Sequence, residues 1–114
     1  MSTIRVDNFG PSAGGTTYSA RGIAKAWAEV NMATATLKDS LNVASITDTA
    51  TGDFTVTQTS AMGSANYGVV TSGGDRIDQS VITSASTHRQ ISENSSFVRS
   101  DPSHFTSAVF GDLA

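Results

Sequence analysis

The two histidines, His88 and His104, are the side chains of this 114-residue sequence best suited to acid–base chemistry. A catalytic histidine works beside a nucleophile and an orienting acid, and the order of residues reveals neither neighbour. Ser is so abundant that no single copy indicates a nucleophile. We therefore expect both histidines at the surface or at strand ends, and we predict a protein with no catalytic residues that is not an enzyme.

The sequence also gives little indication of a metal site. The chain has no Cys and no His pair at ligand spacing, so a zinc site lacks its usual ligands. Asp48 and Asp53 flank the residues TATG, but a calcium loop needs oxygen ligands at alternate positions and a distal Glu. Aspartates in turns also accept backbone hydrogen bonds. The sequence predicts no cofactor and leaves open whether Asp48 and Asp53 hold a cation.

The charge and hydropathy of the chain limit the classes of partner that it is expected to bind. A formal net charge of -3 and a pI of about 5.0 provide no basic stripe, so we expect no nucleic-acid partner. No stretch approaches the roughly 18–20 apolar residues of a membrane helix, and the first residues lack the apolar core of a signal peptide. We expect a soluble protein that is made in a cytoplasm and has no membrane partner.

The elements that must position these side chains are mostly strands. Residues 42–62 describe a hairpin in which Phe54 and Val56 alternate with threonines, and Gly52 can supply the positive φ of its turn. Further short strands follow at intervals of 8–12 residues. We predict an all-β fold, a small antiparallel β-sandwich or jelly-roll-like barrel of about seven or eight strands. The Thr-rich strand face is expected to meet solvent or a partner.

Two segments are less clear. Ile23, Trp27 and Val30 fall at helical spacing, which favours a helix from Ala20 to about Met32, although the same residues also alternate as a strand would. Residues 1–20 are predicted to be an extended N-terminal arm and linker, and residues 21–114 the β-sandwich domain. The arm is expected to contact a partner through Ile4, Val6 and Phe9.

The composition suggests a core that is completed by other molecules. Apolar residues make up 38% and charged residues 15%, against averages of about 45–50% and 25% in soluble domains. The aromatic residues Trp27, Phe54 and Tyr67 could line a sugar site, but in so lean a chain they are better assigned to the core. The predicted core residues are Trp27, Phe54, Val56, Tyr67, Val69, Val109 and Phe110.

Three stretches resemble a domain widespread in tailed bacteriophages, where it is labelled a tail-fibre or virion structural protein. They read GIAKAWAEVN, LKDSLNVASITDTATGDFTVTQTSAMGSANYGVV and DPSHFTSAVFGDL, and the opening TIRVDNFGPSAGG is also similar. The chain departs from the pattern at AEVNMATATLKD, where that domain has a glycine turn. The resemblance implies a strand from about Ala24 to Met32 instead of a helix, with Trp27 as a core anchor.

The resemblance also implies a function. Because the sequence comprises little beyond the domain and an arm, it fits a capsid decoration (cement) protein that stabilises the head by bridging major capsid subunits. The expected partners are the major capsid protein and further copies of the chain, as a homo-oligomer and specifically a trimer. The expected location is the virion, assembled in the host cytoplasm. The alternative is a head- or tail-fibre component, or adhesin, that binds a host surface glycan.

Overall fold

The computed structural model describes residues 3, 8–9, 13–16, 18–19, 22–73 and 77–114. They form ten strands and no α-helix. The strands are β1 (Asn8–Phe9), β2 (Tyr18–Ser19), β3 (Ala26–Asn31), β4 (Thr36–Leu41), β5 (Val43–Ala50), β6 (Asp53–Gln58), β7 (Gly68–Ser72), β8 (Ile77–Ile82), β9 (Thr87–Glu93) and β10 (Phe105–Phe110). Within these ranges, no helix is long and apolar enough to cross a membrane.

Two four-stranded antiparallel sheets face each other as a β-sandwich. Sheet I has the strand order β4-β3-β10-β7, and sheet II has the order β5-β6-β9-β8. Strands β1 and β2 form a separate two-stranded ribbon. The predicted all-β sandwich class is therefore confirmed. Of the predicted arm contacts, Ile4 and Val6 lie outside the described residues, and for Phe9 only its backbone pairing with Tyr18 is described.

Strand β3 resolves the ambiguous segment. It alternates strictly, with Ala26, Ala28 and Val30 buried and the residues between them partly exposed. The predicted helix from Ala20 to Met32 is wrong, because paired neighbours on both sides of β3 make a period of two more favourable than a period of 3.6. The strand implied by the resemblance matches β3.

The β5–β6 hairpin turns at Gly52, as the sequence predicts. Gly52 has φ 65°, a left-handed conformation that costs glycine little. A Cβ at this position would also lie 2.5 Å from the Ser92 carbonyl oxygen and 2.8 Å from the Ser100 nitrogen. The carboxylate of Asp101 accepts a hydrogen bond from the Gly52 N–H. The hairpin is thus held against the segment that follows β9.

The space between the sheets contains two apolar clusters. The first comprises Ala28, Val30, Met32, Phe54, Val56 and Phe105, and the second comprises Ala26, Met62, Tyr67 and Val109. Strand β10 contributes Phe105 to the first cluster and Val109 to the second, and Ser107 lies between them on the same face. We call Ser107 and the buried residues hydrogen-bonded to it, His88 and Gln90, the polar belt. It lies between the two apolar clusters of the core.

The residues predicted to form the core divide into two groups. Phe54, Val56, Tyr67 and Val109 are buried, and Val69 packs partly buried against the second cluster. Trp27 and Phe110 instead lie half-buried on the outer face of sheet I, which corrects their assignment to the core. In both strands the inward positions are taken by the flanking residues, so alternation turns these two aromatic rings outward.

Candidate interaction surface

The polar belt holds the one arrangement in the described residues that resembles a catalytic pair. The Oγ of Ser107 lies 2.9 Å from Nε2 of His88 and accepts a hydrogen bond of 2.7 Å from Nε2 of Gln90. Since Gln90 donates to this hydroxyl, Ser107 can donate to His88, which places the imidazole proton on Nδ1. Burial lowers the pKa of His88 to about 4, so the ring is neutral at pH 7.

This pair lacks what hydrolysis requires. His88 is 1% exposed and Ser107 is fully buried, so a substrate carbonyl cannot reach the hydroxyl. Nδ1 of His88 has no hydrogen-bond partner, so within the described chain no acid orients the ring. Of the two expected placements, surface or strand end, His88 takes the second, because it is buried and is the second residue of β9. His104 is exposed, and its Nδ1 lies 3.0 Å from Oε1 of Glu29.

Residues 10–14 read Gly-Pro-Ser-Ala-Gly, which is the Gly-x-Ser-x-Gly spacing of a nucleophile elbow. The elbow requires a sharp turn from a strand into a helix. Here the segment connects β1 to the antiparallel strand β2, and Ser12 is outside the described residues. The spacing alone therefore carries no catalytic assignment.

The aspartates considered as cation ligands have separate roles. Asp48 is exposed, whereas Asp53 is buried and its carboxylate accepts two hydrogen bonds from the Arg89 guanidinium, one of them 2.9 Å from Nε. This contact raises the pKa of Arg89. Arg89 balances the charge of Asp53, and no group of three or more His, Cys, Asp or Glu in the described ranges is placed to hold a metal ion.

The outer face of sheet I carries a continuous apolar row. Leu41 pairs with Trp27, Trp27 with Ala108, and Ala108 with Val70, so the row crosses all four strands. Paired residues of antiparallel strands project from the same face, about 4.8 Å apart, which makes the row about 14 Å long. Leu41 is 50% exposed and Val70 is 63% exposed. We call these four residues the apolar row.

The apolar row has neighbours of two kinds. On one side, Phe110 adds a half-buried ring that pairs across to Gly68. On the other side, Glu29 lies opposite Asp39, and its Oε1 is 3.4 Å from Nζ of Lys38. The apolar surface is therefore bordered by charged residues on one side, and a polar border around an apolar centre is common in protein–protein interfaces.

The outer face of sheet II is different in chemistry. Thr47 pairs with Thr55, which pairs with Arg89, and Ser45 pairs with Thr57, which pairs with Thr87. Hydroxyl groups dominate this face, and the Asp53–Arg89 ion pair occupies its end. Val81, opposite Arg89, is an isolated exposed apolar residue there. Sheet II thus presents a polar outer face, whereas the outer face of sheet I carries an exposed apolar row.

Sequence reasoning located the strands of this surface but missed the surface itself. The one signal available was the strand alternation around Trp27, since it places the ring opposite Ala26 and Ala28. Comparisons with protein-family models, with curated proteins and with solved structures find no match for the chain.

Proposed function

We propose that the chain is a bacteriophage virion structural protein, specifically a capsid decoration (cement) protein that stabilises the head by bridging major capsid subunits. Two lines of reasoning support the proposal. The three sequence stretches resemble a phage virion domain, and the most distinctive accessible feature of the described residues is a surface for binding protein. The His88–Ser107 pair is sealed in the core, which favours a function without catalysis.

The observation that carries the proposal is the apolar row. Leu41 and Val70 are at least half exposed and Trp27 is partly exposed, so a partner that covers them would stabilise the assembly; full burial of such a side chain contributes about 1.5–3 kcal/mol. The row crosses all four strands of the sheet over about 14 Å, so it fits a protein surface better than a small ligand. We propose that it meets another copy of the chain in a homo-oligomer, specifically a trimer.

The number of copies per virion tests this function. A decoration protein is expected in hundreds of copies, because it follows the lattice of the major capsid protein. Quantitative gel analysis of purified particles, with the major capsid protein as internal standard, gives this number. A handful of copies per particle would exclude capsid decoration.

A second candidate is a fibre component or adhesin that binds a host surface glycan. It is favoured by Trp27, because an indole ring on an open sheet face can stack against a sugar. The other two aromatic residues considered for such a site, Phe54 and Tyr67, are buried. This function predicts few copies per virion and isolated protein that blocks phage adsorption to host cells, with Trp27→Ala abolishing the block.

A further inference from the structure

The turn after β9 displays an aromatic side chain in an unusual way. Phe97 is 74% exposed, the largest exposed fraction among the large hydrophobic side chains of the described residues, and Val98 beside it is 57% exposed. Phe97 also has φ 61°, in the left-handed region where bulky residues are rare. Phe97 thus combines an exposed apolar ring with an unfavourable backbone conformation.

The turn is rigidly built. The Asn94 side-chain oxygen accepts hydrogen bonds from the N–H groups of Ser96 (2.9 Å) and Val98 (3.2 Å). The Phe97 N–H donates to the Asn94 carbonyl at 3.0 Å, and the Asn94 N–H donates to the Val98 carbonyl at 2.9 Å. A ladder pairing of Glu93 with Arg99 closes its base, where Arg99 Nε lies 3.3 Å from Glu93 Oε1. The position of the Phe97 backbone is therefore fixed before any partner arrives.

The tight turn accounts for a positive φ at this position, as it does at Ala35 (φ 51°), whose N–H donates to the Met32 carbonyl, but it does not account for a phenylalanine there. Asn42 has a similar φ of 54°, but its residue type tolerates this conformation and its side chain forms three hydrogen bonds. The Phe97 ring, in contrast, is mostly in water, and the turn is held by backbone groups and Asn94. Non-glycine residues in strained conformations cluster at binding and active sites, because the surrounding structure must hold them for a purpose.

The Phe97 turn lies apart from the apolar row. It follows β9 and therefore belongs to sheet II, whereas the row lies on the outer face of sheet I. The row is proposed to meet another copy of the chain, so a protein that also bridges capsid subunits needs a second contact.

We propose that Phe97 is a preformed anchor that inserts into an apolar pocket on the major capsid subunit. This inference rests on the proposed function. The pocket would be uncharged and would extend to the exposed Val98, because Ser95 and Ser96 precede Phe97 in the turn and the nearby Arg99 and Glu93 form an ion pair with each other. A buried aromatic side chain at the centre of a small contact is the usual form of a binding hot spot.

The test uses substitutions that separate fold from binding. Asn and Gly suit a positive φ, so Phe97→Asn and Phe97→Gly should melt at the same temperature as wild type or higher. Particles of a phage that lacks the gene for this protein are then incubated with each purified variant. We expect wild type to bind them, both Phe97 variants to bind at least tenfold more weakly, and Phe97→Trp to retain binding. Val81→Thr, an exposed apolar residue on sheet II, is the matched control and should bind like wild type.

The outcomes distinguish the anchor from the proposed function. Phe97→Asn that binds the particles as tightly as wild type would overturn the anchor alone, and so would Asn and Gly variants that melt several degrees lower. Wild-type protein that does not bind the particles would overturn the capsid function, and with it this partner for Phe97.

Discussion

The outer faces of sheets I and II differ although both sheets are built by the same rule. In each strand alternate residues point outward, and sheet I uses these positions for Leu41, Trp27 and Val70, whereas sheet II uses them for threonines and the Asp53–Arg89 pair. Threonine hydroxyls remain hydrated at little cost, while exposed apolar side chains gain free energy when they are covered. The comparison shows that the two outer faces of one sandwich can differ in side-chain chemistry without any change in architecture.

The largest loss of stability is expected from a substitution between the two sheets, and substitutions on the outer faces are compared with it. Phe54→Ala removes a fully buried ring, so we expect a loss of about 3–5 kcal/mol in the free energy of unfolding. Trp27→Ala should cost clearly less in the isolated chain, because its ring lies half-buried on the outer face. Urea denaturation of both variants measures the difference. An equal or larger loss for Trp27→Ala would place this ring in the core after all.

The polar belt should make the sandwich sensitive to acid. The pKa of His88 is about 4 in the fold against an ordinary 6.5, so between these pH values the unfolded chain binds the extra proton. The contribution of this group to stability is complete above about pH 6.5, decreases as the pH falls toward 4, and changes no further below that. The expected loss is about 3 kcal/mol. Denaturation curves across this window, with His88→Gln as the control that flattens them, measure the effect; a wild-type curve as flat as the control would contradict it.

The ion pair at the end of the sheet II face should have an intermediate effect. Arg89→Met leaves the buried Asp53 carboxylate without its guanidinium partner, and losing such a charged hydrogen bond costs about 1.5–3 kcal/mol. Because Arg89 is partly exposed, we expect the lower end of this range. Thermal melts of Arg89→Met and of the double variant Arg89→Met/Asp53→Leu, in which neither charge remains, measure the pair. Unchanged stability of the single variant would show that water solvates Asp53 adequately.

The smallest effect on folding is expected on the apolar row. Val70→Ser removes an exposed side chain, so the free energy of unfolding of the monomer should change by no more than about 0.5 kcal/mol. The equivalent change on sheet II, Val81→Ser, should be just as neutral. Urea denaturation at low protein concentration tests both. A large loss for Val70→Ser would mean that the row supports the fold of the single chain.

Parts of this picture could be read from the sequence and others could not. The hairpin at Gly52 and the inward position of Phe54 could be predicted, because strand alternation and turn chemistry depend only on neighbouring residues. The outward position of Trp27 could not be assigned, because helical and strand periods both fit the segment and a shift of one residue exchanges the two faces. The contact between His88 and Ser107 joins β9 to β10 across the sandwich, and no local pattern signals it.

The turn that carries Phe97 shows a second limit of prediction from the sequence. Ser, Asn and Phe in residues 94–97 indicate an ordinary turn, and nothing in their order places the aromatic residue at a positive φ. That conformation arises from the Asn94 hydrogen bonds together with the closure by Glu93 and Arg99. These contacts constrain Phe97 together only in the folded chain, so the sequence alone does not reveal them.

Sedimentation velocity of the wild-type chain and of Leu41→Lys, at micromolar concentration, tests most directly whether sheet I is the protein-binding face. We predict that wild type sediments as a homo-oligomer, that Leu41→Lys is a folded monomer, and that Val81→Lys on sheet II remains oligomeric. A monomeric wild-type chain, or a Leu41→Lys variant that assembles as wild type does, would contradict the assignment.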